Sequence, residues 1–268
     1  MKIAVVGKGG VGKTTIAANL ARLFAKDGYL VLAIDADPAM NLAHSLGIDK
    51  SISSKIIPLA DNNDLIEERT GARPGSIGSV FSLTPKVHDI AEKYSVMGPD
   101  NVRLLVMGTV KSAGSGCMCP ANSLLRALFR HLLIESKDVI VVDMEAGLEH
   151  LGRGIVRGFD FILNVVEPSI QSVDTTVRIV KLAKDLNVKN IIIVGNKVRN
   201  EKQKGFLEEE LKKNDLKLTS LIPYDEKVLE ADMLNIPLID YAPISNSINA
   251  IHSLKDLLKI MANKTLSQ

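Results

Sequence analysis

Close to the start of the chain runs Gly7-Lys8-Gly9-Gly10-Val11-Gly12-Lys13-Thr14, set between a β-branched apolar run at 3–6 and a helical pattern at 14–26. A glycine, four residues and then Gly-Lys-Thr, placed between a strand and a helix, restricts the fold sharply. The strand must end in a tight loop whose backbone N–H groups turn inward, and the helix must begin at the centre of that loop. Such a nest suits phosphate: the helix N-terminus favours negative charge, Lys13 supplies a point charge to the outer phosphates, and the Thr14 hydroxyl is placed for Mg²⁺. Gly9, Gly10, Val11, Gly12 and Thr15 complete the expected cradle.

The rest of the sequence continues the same alternation. Apolar runs at 30–35, 102–107, 139–143, 161–166, 190–194 and 217–222 read as strands, and amphipathic stretches at 120–136, 172–186 and 201–214 read as helices between them. That order means βαβ units. Strands with few polar residues are buried on both faces, so the expected fold is α/β: a doubly wound, mostly parallel sheet flanked by helices, a three-layer sandwich. Function belongs at the carboxyl ends of the strands. The 268 residues are read as a single domain, 1–268, in which 51–116 is an elaborated insertion with no long period.

Charge and hydropathy exclude several classes. Lys and Arg total 33 against 31 Asp and Glu, a net charge of +2, which argues against a nucleic-acid surface. No apolar run approaches the roughly 18 residues that span a bilayer, and the N-terminus turns to Gly7-Lys8 before a signal-peptide core can form. A cytoplasmic protein without membrane or nucleic-acid partners is expected. The final helix carries Ile248, Ile251, Leu254, Leu257, Leu258 and Met261 on one stripe with Lys255, Asp256 and Lys259 opposite, and reads as a helix packed on the sheet.

Only two cysteines occur, Cys117 and Cys119, in Gly116-Cys117-Met118-Cys119-Pro120. Pro120 suits the first position of a helix, which makes Cys119 its cap. Thiolates there gain from the helix dipole and from free N–H donors, so they are good metal ligands. Two thiolates are half of a four-coordinate shell, and a symmetric dimer supplies the other two. Two inert buried thiols are the plain alternative.

Lys8, a second lysine within the loop, resembles the deviant phosphate loop of the nitrogenase-iron-protein, partitioning and Min-type ATPases. The resemblance implies an ATP-dependent homodimer in which Lys8 reaches the partner's nucleotide. It also assigns roles at two strand ends. Asp35-Ala36-Asp37-Pro38 is similar to the family's first switch, with Asp37 positioning the attacking water beside Mg²⁺ and Asp35 in the magnesium shell or structural. Asp143-Met144-Glu145-Ala146-Gly147 is similar to the second switch, with Asp143 on the magnesium side and Gly147 sensing the γ-phosphate. Asn196, Lys197 and Pro223, after later strands, are the implied contacts for the adenine end.

The pairing of Lys8 with Cys117 and Cys119, and the run Asp-Met-Glu-Ala-Gly-x-Glu-His, resemble the carbon monoxide dehydrogenase maturation ATPases, which are nickel-insertion accessory proteins. The implied cofactors are ATP and Mg²⁺. The implied cargo is Ni²⁺ or Zn²⁺, one per dimer, held by Cys117 and Cys119 for a carbon monoxide dehydrogenase apo-enzyme. His150, seven residues past Asp143, stands where a [4Fe–4S] reductase of the nitrogenase-iron-protein type would carry a cysteine. It is either a ligand-supporting residue near the dimer axis or a structural histidine. A cluster-bearing reductase and a positioning ATPase of the partitioning type stay as alternatives.

Overall fold

The computed structural model describes residues 1–37, 39–76, 80–108, 119–145, 153–188 and 190–266. Eight strands form one sheet: β1 (Lys2–Gly7), β2 (Val31–Ala36), β3 (Val96–Met97), β4 (Arg103–Val106), β5 (Val139–Met144), β6 (Phe161–Val166), β7 (Ile191–Val198) and β8 (Leu218–Pro223). Their order across the sheet is β3-β4-β2-β5-β1-β6-β7-β8. Every neighbouring pair is parallel except β3 with β4 at one edge. The seven strands read from the sequence are all present. Strand β3 was not foreseen, because two residues are too few to show alternation.

The helices are α1 (Lys13–Lys26), α2 (Leu42–Leu46), α3 (Lys50–Ser53), α4 (Asn63–Thr70), α5 (Ile90–Tyr94), α6 (Pro120–Glu135), α7 (Arg153–Val156), α8 (Ile170–Asp185), α9 (Glu201–Lys212), α10 (Glu226–Met233), α11 (Leu238–Tyr241) and α12 (Asn246–Leu266). Successive side chains of a strand point to opposite faces. Ile3 and Val5 accordingly join α1, α2, α11 and α12 in one core, while Ala4 and Val6 join α4, α6 and α8 in the other. This is the doubly wound sandwich that the strand composition predicts. Most of α3 and all of α4, α5, β3 and β4 fall within 51–116; Leu65, Ile66 and Ile90 join the core on the α6 face, and β3 forms the edge of the sheet beside β4. Among the described residues no helix is long and apolar enough to cross a membrane.

Helix α12 corrects one detail of the sequence reading. Ile248, Ile251, Leu254 and Leu258 are buried as expected, but so is Lys255, which was assigned to the opposite face. Its ammonium lies 2.7 Å from Asp27, just beyond the end of α1, and Lys259 reaches the same carboxylate at 3.0 Å. A buried lysine needs such a partner.

Candidate functional site

The strand β1 enters the phosphate loop at Gly7, whose φ is +145° and where an added Cβ would stand 2.3 Å from the Val165 carbonyl oxygen. The loop leaves at Gly12, with φ +96°, as the cap of α1. Glycine is needed at both, for backbone clearance and for the left-handed conformation. Val11 between them is fully buried and pins the loop to the core. No side chain caps the first turn of α1, so its dipole and amide donors face the loop.

Three side-chain nitrogens hold the loop by its carbonyls. Lys13 Nζ donates to Lys8 O at 3.3 Å, Asn196 Nδ2 to Val11 O at 2.7 Å, and Lys197 Nζ to Gly10 O at 2.6 Å. The last two come from β7, which runs on through both residues; the sequence reading had ended this strand at 194. Lys197 has φ +59°, and the pairing of β7 with β8 shifts register between Gly195 and Val198. Such a bulge re-aims side chains at the end of a strand. Here it presses Asn196 so close that a Cβ on Gly12 would meet Nδ2 at 2.4 Å. Glu167, at the end of β6 and not anticipated from the sequence, lies 3.7 Å from Lys197 Nζ.

Asp35 and Asp143 are register partners at the carboxyl ends of the adjacent strands β2 and β5, and both are fully buried. Their environments differ. Asp35 accepts from the backbone amides of Asp37 at 3.2 Å and Leu42 at 3.0 Å, so it braces the chain leaving β2. Burial nevertheless pushes it up to about 6. Among the described residues neither oxygen of Asp143 meets a donor in good hydrogen-bond geometry, the Thr14 hydroxyl being the donor that stands near it. Burial pushes Asp143 up to about 7, with Asp35 and Asp37 adding to the shift and the nearby Thr14 hydroxyl and Lys13 charge opposing it. A buried carboxylate beside a threonine hydroxyl and a lysine fits a hard divalent cation. Thr14 and Asp143 are thus the residues of this chain suited to hold Mg²⁺, which would neutralise charge on bound phosphates. Asp37, half-buried, accepts from Ala39 N at 2.8 Å.

Beyond Gly12 and Thr15 opens a cavity of about 370 Å³, walled by apolar Ile16, Ile222, Val228 and Ile251 and entered past Asn196, Pro223 and Arg199. The structure therefore gathers Asn196, Lys197 and Pro223 around one pocket beside the phosphate loop. Tyr224 and Arg199, which the sequence reading did not single out, line it as a stacked pair, with the guanidinium carbon 3.5 Å from the ring centroid. Asp225 fixes the pocket floor: its two oxygens accept from Lys227 N and Ser247 N, capping α10 and joining it to α12.

Two further predicted residues lie apart from this cluster. Lys8 Nζ, on the exposed rim, donates to Gln171 Oε1 at 3.0 Å. Cys119 caps α6 with Pro120 at the first helical position, as the sequence predicts, and is half-buried against the α6 core. Among the described residues no three His, Cys, Asp or Glu side chains converge as a metal cluster. Cys117, Gly147 and His150 lie outside the described residues.

A glycine nest on a parallel sheet, a helix N-terminus behind it and a buried strand-end aspartate beside the loop define a phosphate-loop ATPase. Residues 2–238 match the model of the CobQ/CobB/MinD/ParA nucleotide binding domain, and the chain belongs to that family. An uncharacterized ATP-binding protein of Methanocaldococcus jannaschii is 46% identical over 243 residues, 89% of this chain and 91% of its own length. The carbon monoxide dehydrogenase accessory protein CooC of Rhodospirillum rubrum is 42% identical over 243 residues, 91% of each chain. Among solved structures, MinD in the MinC:MinD cell division complex of Aquifex aeolicus superposes with a TM-score of 0.69 at 22% identity, over 96% of this chain and 94% of its own. A ParA family ATPase from Chlorobium tepidum also gives 0.69, at 19% identity over 95% and 97%. These last two likenesses concern the fold.

Proposed function

We propose that this ATPase is a nickel-insertion accessory protein that works as a homodimer and delivers its metal to an apo carbon monoxide dehydrogenase. Lys13, Thr14 and Asp143 hold the magnesium-bound triphosphate, Asn196 and Pro223 the adenine, and Asp37 orients the attacking water. Lys8 crosses to the partner's nucleotide, and Gly147 senses the γ-phosphate. Cys117 and Cys119 of each protomer take one Ni²⁺ or Zn²⁺ as cargo, with His150 beside them. Closure on ATP and reopening after phosphate release alter the geometry of the four thiolates. Nucleotide can alter metal affinity only as far as it binds the two states differently.

The observation that carries this reading is the thiol of Cys119 at the N-cap of α6, in a chain similar over 91% of its length to an accessory protein of carbon monoxide dehydrogenase. Cysteine sulfur is a soft donor that selects soft metals. The test is metal stoichiometry after dialysis against nickel or zinc, with and without a non-hydrolysable ATP analogue, in the natural chain and in Cys117→Ala and Cys119→Ala. One ion per two chains, lost in either variant, is expected. Unchanged binding in the variants removes the thiolate site, and iron with acid-labile sulfide in anaerobically purified protein points instead to the cluster-bearing reductase.

A further inference from the structure

We infer that Arg199, held flat on Tyr224, is the residue that selects the base of the nucleotide. This rests on the cavity beside Gly12 being the base site, as proposed above. The guanidinium lies 3.5 Å from the Tyr224 ring centroid and both residues line that cavity, while the backbone on either side is fixed: Arg199 N donates to Gln203 Oε1, and Tyr224 N to Val198 O. An arginine offers five donors and no acceptor. Adenine presents ring-nitrogen acceptors, which those donors match. Guanine presents N1–H and an exocyclic amino group on its pairing edge, and these need acceptors.

The cavity has little to offer guanine. Asp225 is the carboxylate among its lining residues, and both its oxygens are already engaged by Lys227 N and Ser247 N at 3.0 Å. Asn196 cannot adapt either. One hydrogen of its Nδ2 is given to Val11 O, which sets the orientation of the amide and so of its oxygen, an acceptor suited to the adenine amino group. A base entering here thus meets an oriented acceptor at Asn196 and the guanidinium donors of Arg199.

The experiment is competition of ATP, GTP and inorganic tripolyphosphate, each with Mg²⁺, against a fluorescent ADP bound to the full chain. Arg199→Ala should lower ATP affinity about tenfold, leave tripolyphosphate unchanged, and cut the preference for ATP over GTP by about tenfold, the order expected for one lost charged hydrogen bond to the base. Arg199→Glu, which supplies the missing acceptor, should move the preference further toward GTP. An ATP-to-GTP ratio unchanged in both variants overturns the inference. Val228→Trp, which fills the cavity, separates the two levels: if it spares ATP binding, the cavity is not the base site and both readings fall. If it abolishes ATP binding but not tripolyphosphate binding while Arg199 variants keep the natural ratio, only the role of Arg199 falls.

Discussion

Asn196 and Val11 stand 185 residues apart in the chain, yet the amide nitrogen of one donates to the carbonyl of the other at 2.7 Å. The bond ties the bulged end of β7 to the phosphate loop. Through it, the phosphate loop is joined to the wall of the cavity proposed above as the base site. Asn196→Asp replaces the donor by an acceptor facing Val11 O. It is expected to cost about 1–3 kcal/mol of stability and at least about tenfold in affinity for both ATP and tripolyphosphate. Calorimetric titration with the two ligands checks this: equal losses locate the effect in the loop, and unchanged tripolyphosphate binding would show that the loop does not depend on the contact.

The paired carboxylates make stability depend on pH. Asp143 is pushed up to about 7 and Asp35 to about 6, both mainly by burial. Raised acids hold protons in the folded chain that the unfolded chain has already released. The stability they contribute is therefore fully present below about pH 4 and is lost as pH rises through 6 to 7. The nucleotide-free protein should unfold at a lower temperature at pH 8 than at pH 5, by an amount of order a few kcal/mol. Asp143→Asn should flatten that slope. Magnesium and ATP should reverse it, because a protonated Asp143 is a poor cation ligand; nucleotide affinity that does not fall below about pH 7 would contradict the assignment of Asp143 to the magnesium.

What the sequence made legible is what depends on local pattern. Strands buried on both faces read as apolar runs, so β1, β2 and β4 to β8 are visible without a structure, and the phosphate loop declares itself by glycine spacing. Contacts made across the fold are not visible in this way. Asn196 was placed by resemblance, but its bond to Val11 depends on a register shift between β7 and β8 that no pattern encodes. Arg199 and Tyr224 left a faint signal, an arginine three residues after the asparagine and a tyrosine after Pro223, with nothing to say that they stack. Periodicity assigned Lys255 to solvent because lysine usually lies there, and the partner that buries it follows a different helix.

That partner gives a sharp stability test. The Asp27 carboxylate is stabilised first by its hydrogen bond to Lys255 and then by Lys259, which holds it below the usual carboxylate range. Asp27→Ala leaves the Lys255 ammonium, 2% exposed, with the His252 Nε2 at 3.4 Å and, as its remaining carboxylate among the described residues, Asp256 at 3.8 Å. A loss of about 1–3 kcal/mol in urea unfolding is expected, because a buried charge loses its near partner. Lys259→Ala, which removes a half-exposed member, should cost less than about 1 kcal/mol. Combining Asp27→Ala with Lys255→Met should recover part of the first loss, since the stranded charge is gone; no recovery would mean that the ion pair is not what docks α12.

Lys8 decides whether the site is complete in one chain. Its ammonium rests on Gln171 at the exposed rim, a contact worth under about 1 kcal/mol, so leaving it is easy. If Lys8 serves the partner's triphosphate, Lys8→Ala should keep ATP affinity within about twofold and reduce phosphate release by about a thousandfold, the scale of a cationic residue supplied in trans. Wild-type turnover per chain should rise with protein concentration, and that rise should vanish in the variant. Mixing Lys8→Ala with Asp37→Ala settles the direction. In a mixed dimer the Lys8→Ala protomer keeps its own Asp37 and receives an intact Lys8 from its partner, so one site of two should regain activity. A mixture as inactive as its separate components would place Lys8 on its own chain's nucleotide and remove the reason for a dimer at this site.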